Sequence, residues 1–464
     1  GQLSYFPKTI LQRFTLNNPL AIISFVCIGV GALTKAGSFP LHTWIPKAAE
    51  TAPAETMAFI PASLDKILGI YLFLRLCYSV FEIRSNMTIQ IVFLSIGAVT
   101  ILATVFMALV QKDAAKTLSY LTVTQAGYMI LGIASGTPLG MVGGLFHMIN
   151  GGFYKTSLFL TQGAVKRQTG ESDIDKLGGL ASAMPITFFS FLVGGLAISG
   201  VPPLNGFISK WLVYQALVDI GSRNPVFYIF LVAGMFGSVL TLASFLKLGH
   251  SIYLGMKPKK FEGVKEAKFN SWFPPLVMAL VCIAFGLFAF RLPLPFLVYP
   301  ALSASVAVPR GFFSPLGFAA LMLILLSVGF LIYLMGRTYA FKKRKVFTGA
   351  EELTEEEMHF SGSHFYSSVK NTELFSELYR FADGGSFDFF YYIRNSAKAL
   401  GKALKRLVDD TLNAFAELIK RFFQFVGKGF SLLHTGRLPF YVAWLFLGML
   451  LLILLIFIRG GGGA

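Results

Sequence analysis

Lys35, Lys66, His147, Lys155 and Lys210 stand near the middle of long apolar stretches, where an ionisable side chain is least expected. Each stretch has the length and composition of a membrane-spanning helix. A lysine at the centre of such a helix costs roughly 2.5–3.5 kcal/mol on insertion scales. Four lysines together carry a penalty of about 10 kcal/mol, too large to be incidental. Taking an ammonium out of water disfavours its charged form, so a lysine there can load and release a proton when a neighbouring charge moves. A row of such groups reads by default as an ion or proton pathway. His147 and Lys155 lie eight residues apart in GLFHMINGGFYKTSLFL, on similar faces of one helix. A lone histidine in an apolar helix is more often a packing residue; beside Lys155 the relay reading is favoured. Ser119, Tyr120, Thr122, Thr124, Gln125 and Tyr128 could hold water nearby or form a polar seam between helices.

Two of these lysines flank interruptions of the backbone. In the stretch 19–47, Lys35 is followed by Gly37, Ser38 and Pro40, which stop helical hydrogen bonding in mid-membrane. In the stretch 184–220, Gly200, Pro202, Pro203 and Gly206 come before Lys210. The lysine precedes the first break and follows the second, an order that an inverted repeat would produce, with unwound backbone lining a polar site. A proline kink with a lysine reaching toward the interface is the plainer alternative. Asp65 adjoins Lys66, but neighbours on a helix point about 100° apart and need not pair. Gly140, Gly143, Gly144, Gly151 and Gly152 on the His147 helix predict close helix packing.

The elements that must hold these groups are helices in a bilayer. Of 464 residues, 55% are hydrophobic, 14% are charged and 48 are Phe, which describes a polytopic membrane protein. Ten crossings are expected, near 19–47, 55–77, 88–110, 116–135, 139–164, 184–220, 226–254, 272–291, 313–336 and 438–458, the two long ones being broken helices. The fold class is all-α. The net charge of +17 points to the positive-inside rule rather than to nucleic acid. Lys47, Lys112, Lys116, Lys166, Arg167, Lys176, the run from Lys257 to Lys260, Lys265, Lys268 and the run from Lys342 to Lys345 share one face. Lys8, Arg13, Arg84, Arg223, Arg291 and Arg310 take the other. The first face is then cytoplasmic, with both chain ends outside. Gly1 in place of Met indicates a start downstream of the gene's own. Cys27, Cys77 and Cys282 are scattered through apolar stretches without a CxxC pair, so no metal or Fe–S site is expected in this chain.

From about residue 396 the pattern changes. Leu400, Leu404, Leu407, Thr411, Phe415, Leu418, Phe422 and Phe425 form one stripe, with Lys402, Arg406, Asp409, Asp410, Glu417, Lys420 and Arg421 opposite. A long amphipathic helix in the interface plane is expected between FKKRK (341–345) and TEEE (354–357) on one side and a terminal span on the other.

GALTKAGSFPLHTWIPKAAETAPA, LDKILGIYLFLRL, KTLSYLTVTQAGYMILGI, FHMINGGFYKTSLFLTQGAV and GVPPLNGFISK together resemble the antiporter-like membrane subunits shared by respiratory complex I, Mrp-type Na+/H+ antiporters and membrane-bound [NiFe]-hydrogenase and sulfane reductase relatives. The resemblance covers about residues 17 to 260. It implies that Lys35 and Lys66 match lysines on that family's seventh and eighth helices, His147 and Lys155 its eleventh, and Lys210 its twelfth. It further implies proton translocation through two linked half-channels, with Na+ coupling left open. The family's first six helices are absent, and with them the glutamate that partners the Lys35 equivalent; Asp65, Glu50 and Glu55 are not convincing substitutes. Another departure is Gly151, where some relatives carry a second histidine. The amphipathic arm is similar to the lateral helix that straps neighbouring antiporter-like subunits together in those assemblies.

The expected layout is therefore the end of a first half-channel (1–77), a second half-channel (78–260), two further spans (261–340), a cytoplasmic loop with the lateral helix (341–437) and a terminal anchor (438–464). The expected function is proton translocation within a complex I-related, redox-driven assembly of the cell membrane. The chain would hold no catalytic centre or cofactor of its own; Fe–S clusters and a [NiFe]-type site would sit in partner subunits. A gradient-driven Mrp-type antiporter subunit and a non-conducting structural strap are the alternatives.

Overall fold

The computed structural model describes residues 14–302, 313–335, 376–377, 380, 389–433 and 438–460. The charged stretches at 341–345 and 354–357, and Lys8, Arg13 and Arg310, lie outside the described residues. The chain divides into two units, the second beginning at Tyr391.

In the first unit each helix starts and stops where its residues dictate. Asn18 caps α1 (Pro19–Ala36) through its side-chain oxygen, and Gly37, at φ 67°, ends it in the left-handed conformation that glycine adopts without strain. Then come α2 (Trp44–Thr51), α3 (Ala54–Phe59) and α4 (Asp65–Arg75); wide π turns at Ile60–Leu64 and Leu76–Val80 carry the span from Ala54 to Val80. Asn86 caps α5 (Met87–Val110), Asp113 caps α6 (Ala114–Ala134) and Thr137 caps α7 (Pro138–Thr169). The second broken helix is α8 (Pro185–Ser199), ended by Gly200 at φ 82°, and α9 (Asn205–Gly221). Next are α10 (Tyr228–Gly249), α11 (Phe269–Leu287) and α12 (Pro315–Met335). The Phe39–Pro40 and Pro202–Pro203 peptides in the two breaks are cis. A two-residue parallel pair, β1 (Phe14–Thr15) with β2 (Phe81–Glu82), ties the chain before α1 to the end of the α4 span.

The fold is that of an all-α, polytopic membrane protein. Among the described residues, six helical stretches are long and apolar enough to cross a bilayer on their own: those at 19–36, 54–80, 87–110, 225–254, 269–287 and 315–335. The ten expected crossings include others that fall short for physical reasons. Helices α8 and α9 are half-spans. Helices α6 and α7 carry hydroxyls, amides and glycines, and they are enclosed by their neighbours rather than facing lipid: 19 of the 21 residues of α6 are buried. Helices α5, α7 and α9 all pack on α6, and α4, α8, α9 and α11 pack on α7.

In the second unit, α13 (Phe389–Leu433) is one unbroken helix of 45 residues, about 67 Å long at 1.5 Å per residue. It begins ahead of the expected residue 396, and the stripe from Leu400 to Phe425 falls wholly within it; the Leu407 side chain lies outside the described residues. Helix α14 (Leu438–Gly460) follows.

Candidate functional site

Lys66, His147, Lys155 and Lys210 are all buried. They sit on α4, α7 and α9, and α7 packs against both of the others. Ser63 pins the start of α4 to α7, with its Oγ 3.0 Å from Thr156 Oγ1 and 3.4 Å from the Gly152 carbonyl. That bond places Lys66 and Lys155 on adjoining turns.

Each helix break receives a lysine. Lys66 Nζ donates to the Ala36 carbonyl, the last of α1. Lys210 Nζ donates to the Ile198 and Ser199 carbonyls that end α8, at 2.9 and 3.4 Å. The C-terminal end of a helix presents unpaired carbonyls and a partial negative charge, so an ammonium is the group best suited to it. The lysine serving the first break is thus Lys66, from the following span, rather than Lys35.

Lys35 occupies a different environment. It lies in the last turn of α1, its side chain is 53% exposed, and its Nζ is 2.5 Å from Asp65 Oδ1, which is 7% exposed. Asp65, discounted in the sequence as a partner, is the carboxylate that meets Lys35. The reason is a close approach that sequence spacing does not reveal. Gly69 of α4 lies against Ala32 and Ala36 of α1 so tightly that a Cβ there would run into their backbone. Asp65, one turn earlier, then falls opposite Lys35. The pair opens onto a groove of about 450 Å³ lined by Gly31, Thr34 and Trp44. The other two nearby carboxylates are engaged elsewhere, Glu50 with Lys116 at 2.9 Å and Glu55 with Arg167.

At the centre, His147 Nδ1 is 2.8 Å from Ser209 Oγ, and Nε2 is 3.2 Å from Gln125 Oε1 and 3.3 Å from the Tyr154 hydroxyl. Both ring nitrogens therefore have a partner able to exchange a proton or fix a tautomer. Among the described residues, Lys155 Nζ is buried without a hydrogen-bond partner, as are Gln125 Nε2 and Asn205 Oδ1. The Lys155 side chain folds back over Gly151, where a Cβ would stand 3.2 Å from Nζ. Gly151 thus makes room for an amine on the histidine's side of the turn. Beyond His147, Lys210 Nζ donates to Ser238 Oγ at 2.9 Å, and Ser238 also meets the hydroxyls of Tyr214 (2.8 Å) and Tyr128 (3.1 Å). Ser209, Tyr154, Tyr214 and Ser238 were not visible as candidates, because hydroxyls in apolar helices are common and only tertiary contact separates these from the rest.

The sequence reading also passed over Lys247. It is buried near the end of α10 and donates to the carbonyls of Leu109 (2.7 Å), Gln111 (2.8 Å) and Ala108 (3.3 Å) at the end of α5. Its place in the last turn of an apolar span was the available signal. Lys247→Met should cost about 3 kcal/mol, since a charged donor to three carbonyls is lost and buried acceptors are left bare. Unfolding of the solubilised protein reads this out; a change below about 0.5 kcal/mol, the level of an ordinary surface substitution, would contradict it.

The loop after α7 closes over the same end. Asp175 pairs with Lys112 at 3.5 Å. Burial pushes the Glu171 carboxyl up, but the backbone N–H groups of Asp173 and Ser172, with Lys176 and Lys260 nearby, hold it below the usual carboxylate range. Among the described residues no group of three or more His, Cys, Asp or Glu side chains could hold a metal ion. The arrangement gathers titratable side chains and hydroxyls on α4, α6, α7, α9 and α10.

A family model described as NADH:quinone oxidoreductase/Mrp antiporter, transmembrane, matches residues 2–241. The NADH-quinone oxidoreductase subunit N of Desulforudis audaxviator is 31% identical over 260 residues, covering 56% of this chain and 51% of the relative. The Na(+)/H(+) antiporter subunit A1 of Staphylococcus aureus is 30% identical over 292 residues, covering 59% of this chain and 36% of the relative. The chain thus spans about half or less of these relatives. Among solved structures, a chain of the membrane-bound sulfane sulfur reductase, an archaeal respiratory membrane complex, superposes with a TM-score of 0.68. The identity is 24%, and the match covers 94% of this chain and 68% of that chain.

Proposed function

This chain belongs to the NADH:quinone oxidoreductase/Mrp antiporter transmembrane family, matched over more than half its length, and on that premise we propose that it carries protons across the membrane through Lys66, Lys155, His147 and Lys210. One observation carries the reading: four ionisable side chains are buried together on three packed helices, and two of them close the ends of broken helices. Burial at that cost is retained where charge must move. Lys35, paired with Asp65 at the groove, is the entry group of the row.

In this reading residues 1–77 complete a first half-channel, 78–260 form the second, and 261–340 add two spans. Within 341–437 the amphipathic α13 serves as the strap, and α14 is its membrane anchor. The assembly is a redox-driven respiratory complex of the cell membrane with adjacent antiporter-like subunits. Its Fe–S clusters and [NiFe]-type or related site lie on partner chains. The likeness over 94% of this chain to a sulfane sulfur reductase subunit, together with the 45-residue α13, supports that choice. The 30% identity to a Na(+)/H(+) antiporter subunit supports the second reading, a gradient-driven antiporter with no redox partner.

Purification of the tagged chain in mild detergent, followed by mass spectrometry of its companions, tests the choice. Fe–S subunits among them are the expected result; small membrane proteins alone would favour the antiporter. Truncation before Phe389 should remove the strap and release at least one neighbouring subunit on native gels, and an intact complex after truncation would count against it.

A further inference from the structure

The hydrogen bonds around His147 and those around Lys210 form two separate sets. Ser209, Gln125 and Tyr154 surround the histidine. Ser238, Tyr214 and the Ile198 and Ser199 carbonyls surround the lysine. Among the described residues no hydrogen bond joins one set to the other. The ring of Tyr128 touches both. Lys210 Nζ stands 4.3 Å from its centroid, and the His147 ring meets it nearly edge-on at 5.7 Å with an interplanar angle of 63°. Its hydroxyl is tied to the Gly234 carbonyl at 2.8 Å and to Ser238 Oγ at 3.1 Å.

We propose that Tyr128 is a shutter between Lys210 and His147, held shut by the lysine's own charge. The proposal rests on the proton path described above and deepens it. An aromatic face neither donates nor accepts a transferable proton, so with the ring in place Lys210 and His147 do not exchange one. The ring quadrupole attracts an ammonium and gives little to a neutral amine. Ser238 strengthens this dependence on charge, because it accepts from Lys210 and also meets the hydroxyl that anchors the ring. When Lys210 carries a proton, the ring is gripped at its face and at its hydroxyl. When the proton leaves, the grip at the face weakens, only the hydroxyl's bonds to Gly234 and Ser238 still hold the ring, and it turns more readily about χ1 to open the path toward His147 for reloading. Such a device keeps the two ends of the path from being joined while Lys210 is charged, which is what prevents a passive leak. Tyr128 is on this account a positioning residue; it takes no proton itself.

The test uses the purified whole assembly in proteoliposomes, without its driving reaction. Passive proton flux under a potassium diffusion potential is followed with an entrapped pH dye. Tyr128→Phe keeps the ring and removes the anchor; Tyr128→Leu removes both. Flux should rise about threefold in the first, which loses only the hydroxyl's hydrogen bonds, and about tenfold in the second, which also loses the desolvated cation–π contact. Adding Lys210→Ala to Tyr128→Phe should return it to the wild-type level. Unchanged flux in Tyr128→Phe, or a leak that survives Lys210→Ala, overturns the shutter. Because Tyr128→Phe deletes one oxygen and preserves packing, it reads out even where Tyr128→Leu does not assemble. Driven transport on the same preparations separates the two readings. A Lys210→Ala assembly that still pumps overturns the proton path, whereas lost pumping with a wild-type leak in Tyr128→Phe overturns the shutter alone.

Discussion

Lys210→Gln should reduce driven proton movement by the intact assembly about a hundredfold, the usual scale for removing a positioned proton-transfer group. Glutamine keeps a donor for the α8 carbonyls and for Ser238 but cannot carry a proton. Lys210→Ala should give the same transport defect with an added loss of stability, because the Ile198 and Ser199 carbonyls then lack their donor. Comparing the two variants separates the proton carried from the helix end held. Transport at the wild-type rate in Lys210→Gln, with the protein fully assembled, would show that Lys210 is only a cap.

The second large effect concerns the backbone of the same break. A Cβ at Gly206, in the first turn of α9, would run into the Ala197 carbonyl near the end of α8. Backbone cannot retreat as a flexible side chain can. Gly206→Ala should therefore destabilise by about 3 kcal/mol, at the upper end of overpacking in a close-packed interior. Gly263→Ala is the matched control, since nothing lies within 4 Å of the added atom there. Thermal unfolding in detergent, read by native gel or near-UV signal, measures both. Equal stability of the two variants would mean that the break is looser than its geometry indicates.

Much of the site was legible because burial of charge in apolar sequence is rare enough to be a signal. Lys66, His147, Lys155 and Lys210 stood out on hydropathy alone, and the glycine and proline clusters placed both helix breaks. What was not legible depends on contacts between helices. Asp65 was set aside as a partner both for Lys66, by spacing on one helix, and for Lys35, whose contact with it depends on the Gly69 approach of α4 to α1. Tyr128 looked like one polar residue among several on α6; its ring contacts with two titratable groups are a tertiary fact. Lys247 was overlooked because a lysine in the last turn of a span usually reaches to water, and this one turns inward to α5. Hydropathy likewise does not separate helices that face lipid from inner ones, and α6 and α7 are inner helices.

The enclosure of α6 bears on how the protein is made. With 19 of its 21 residues covered by other helices, and with Thr122, Thr124 and Gln125 among them, α6 has little to gain from a purely lipid surrounding. It emerges from the ribosome before α7, α9 and α10, which pack on the surface that α5 and the earlier helices leave open. During that interval the membrane-insertion machinery, rather than the bilayer, must keep it company. Synthesis of this chain therefore has a vulnerable window between α6 and α10, and slow translation there would expose the very residues on which the finished path depends.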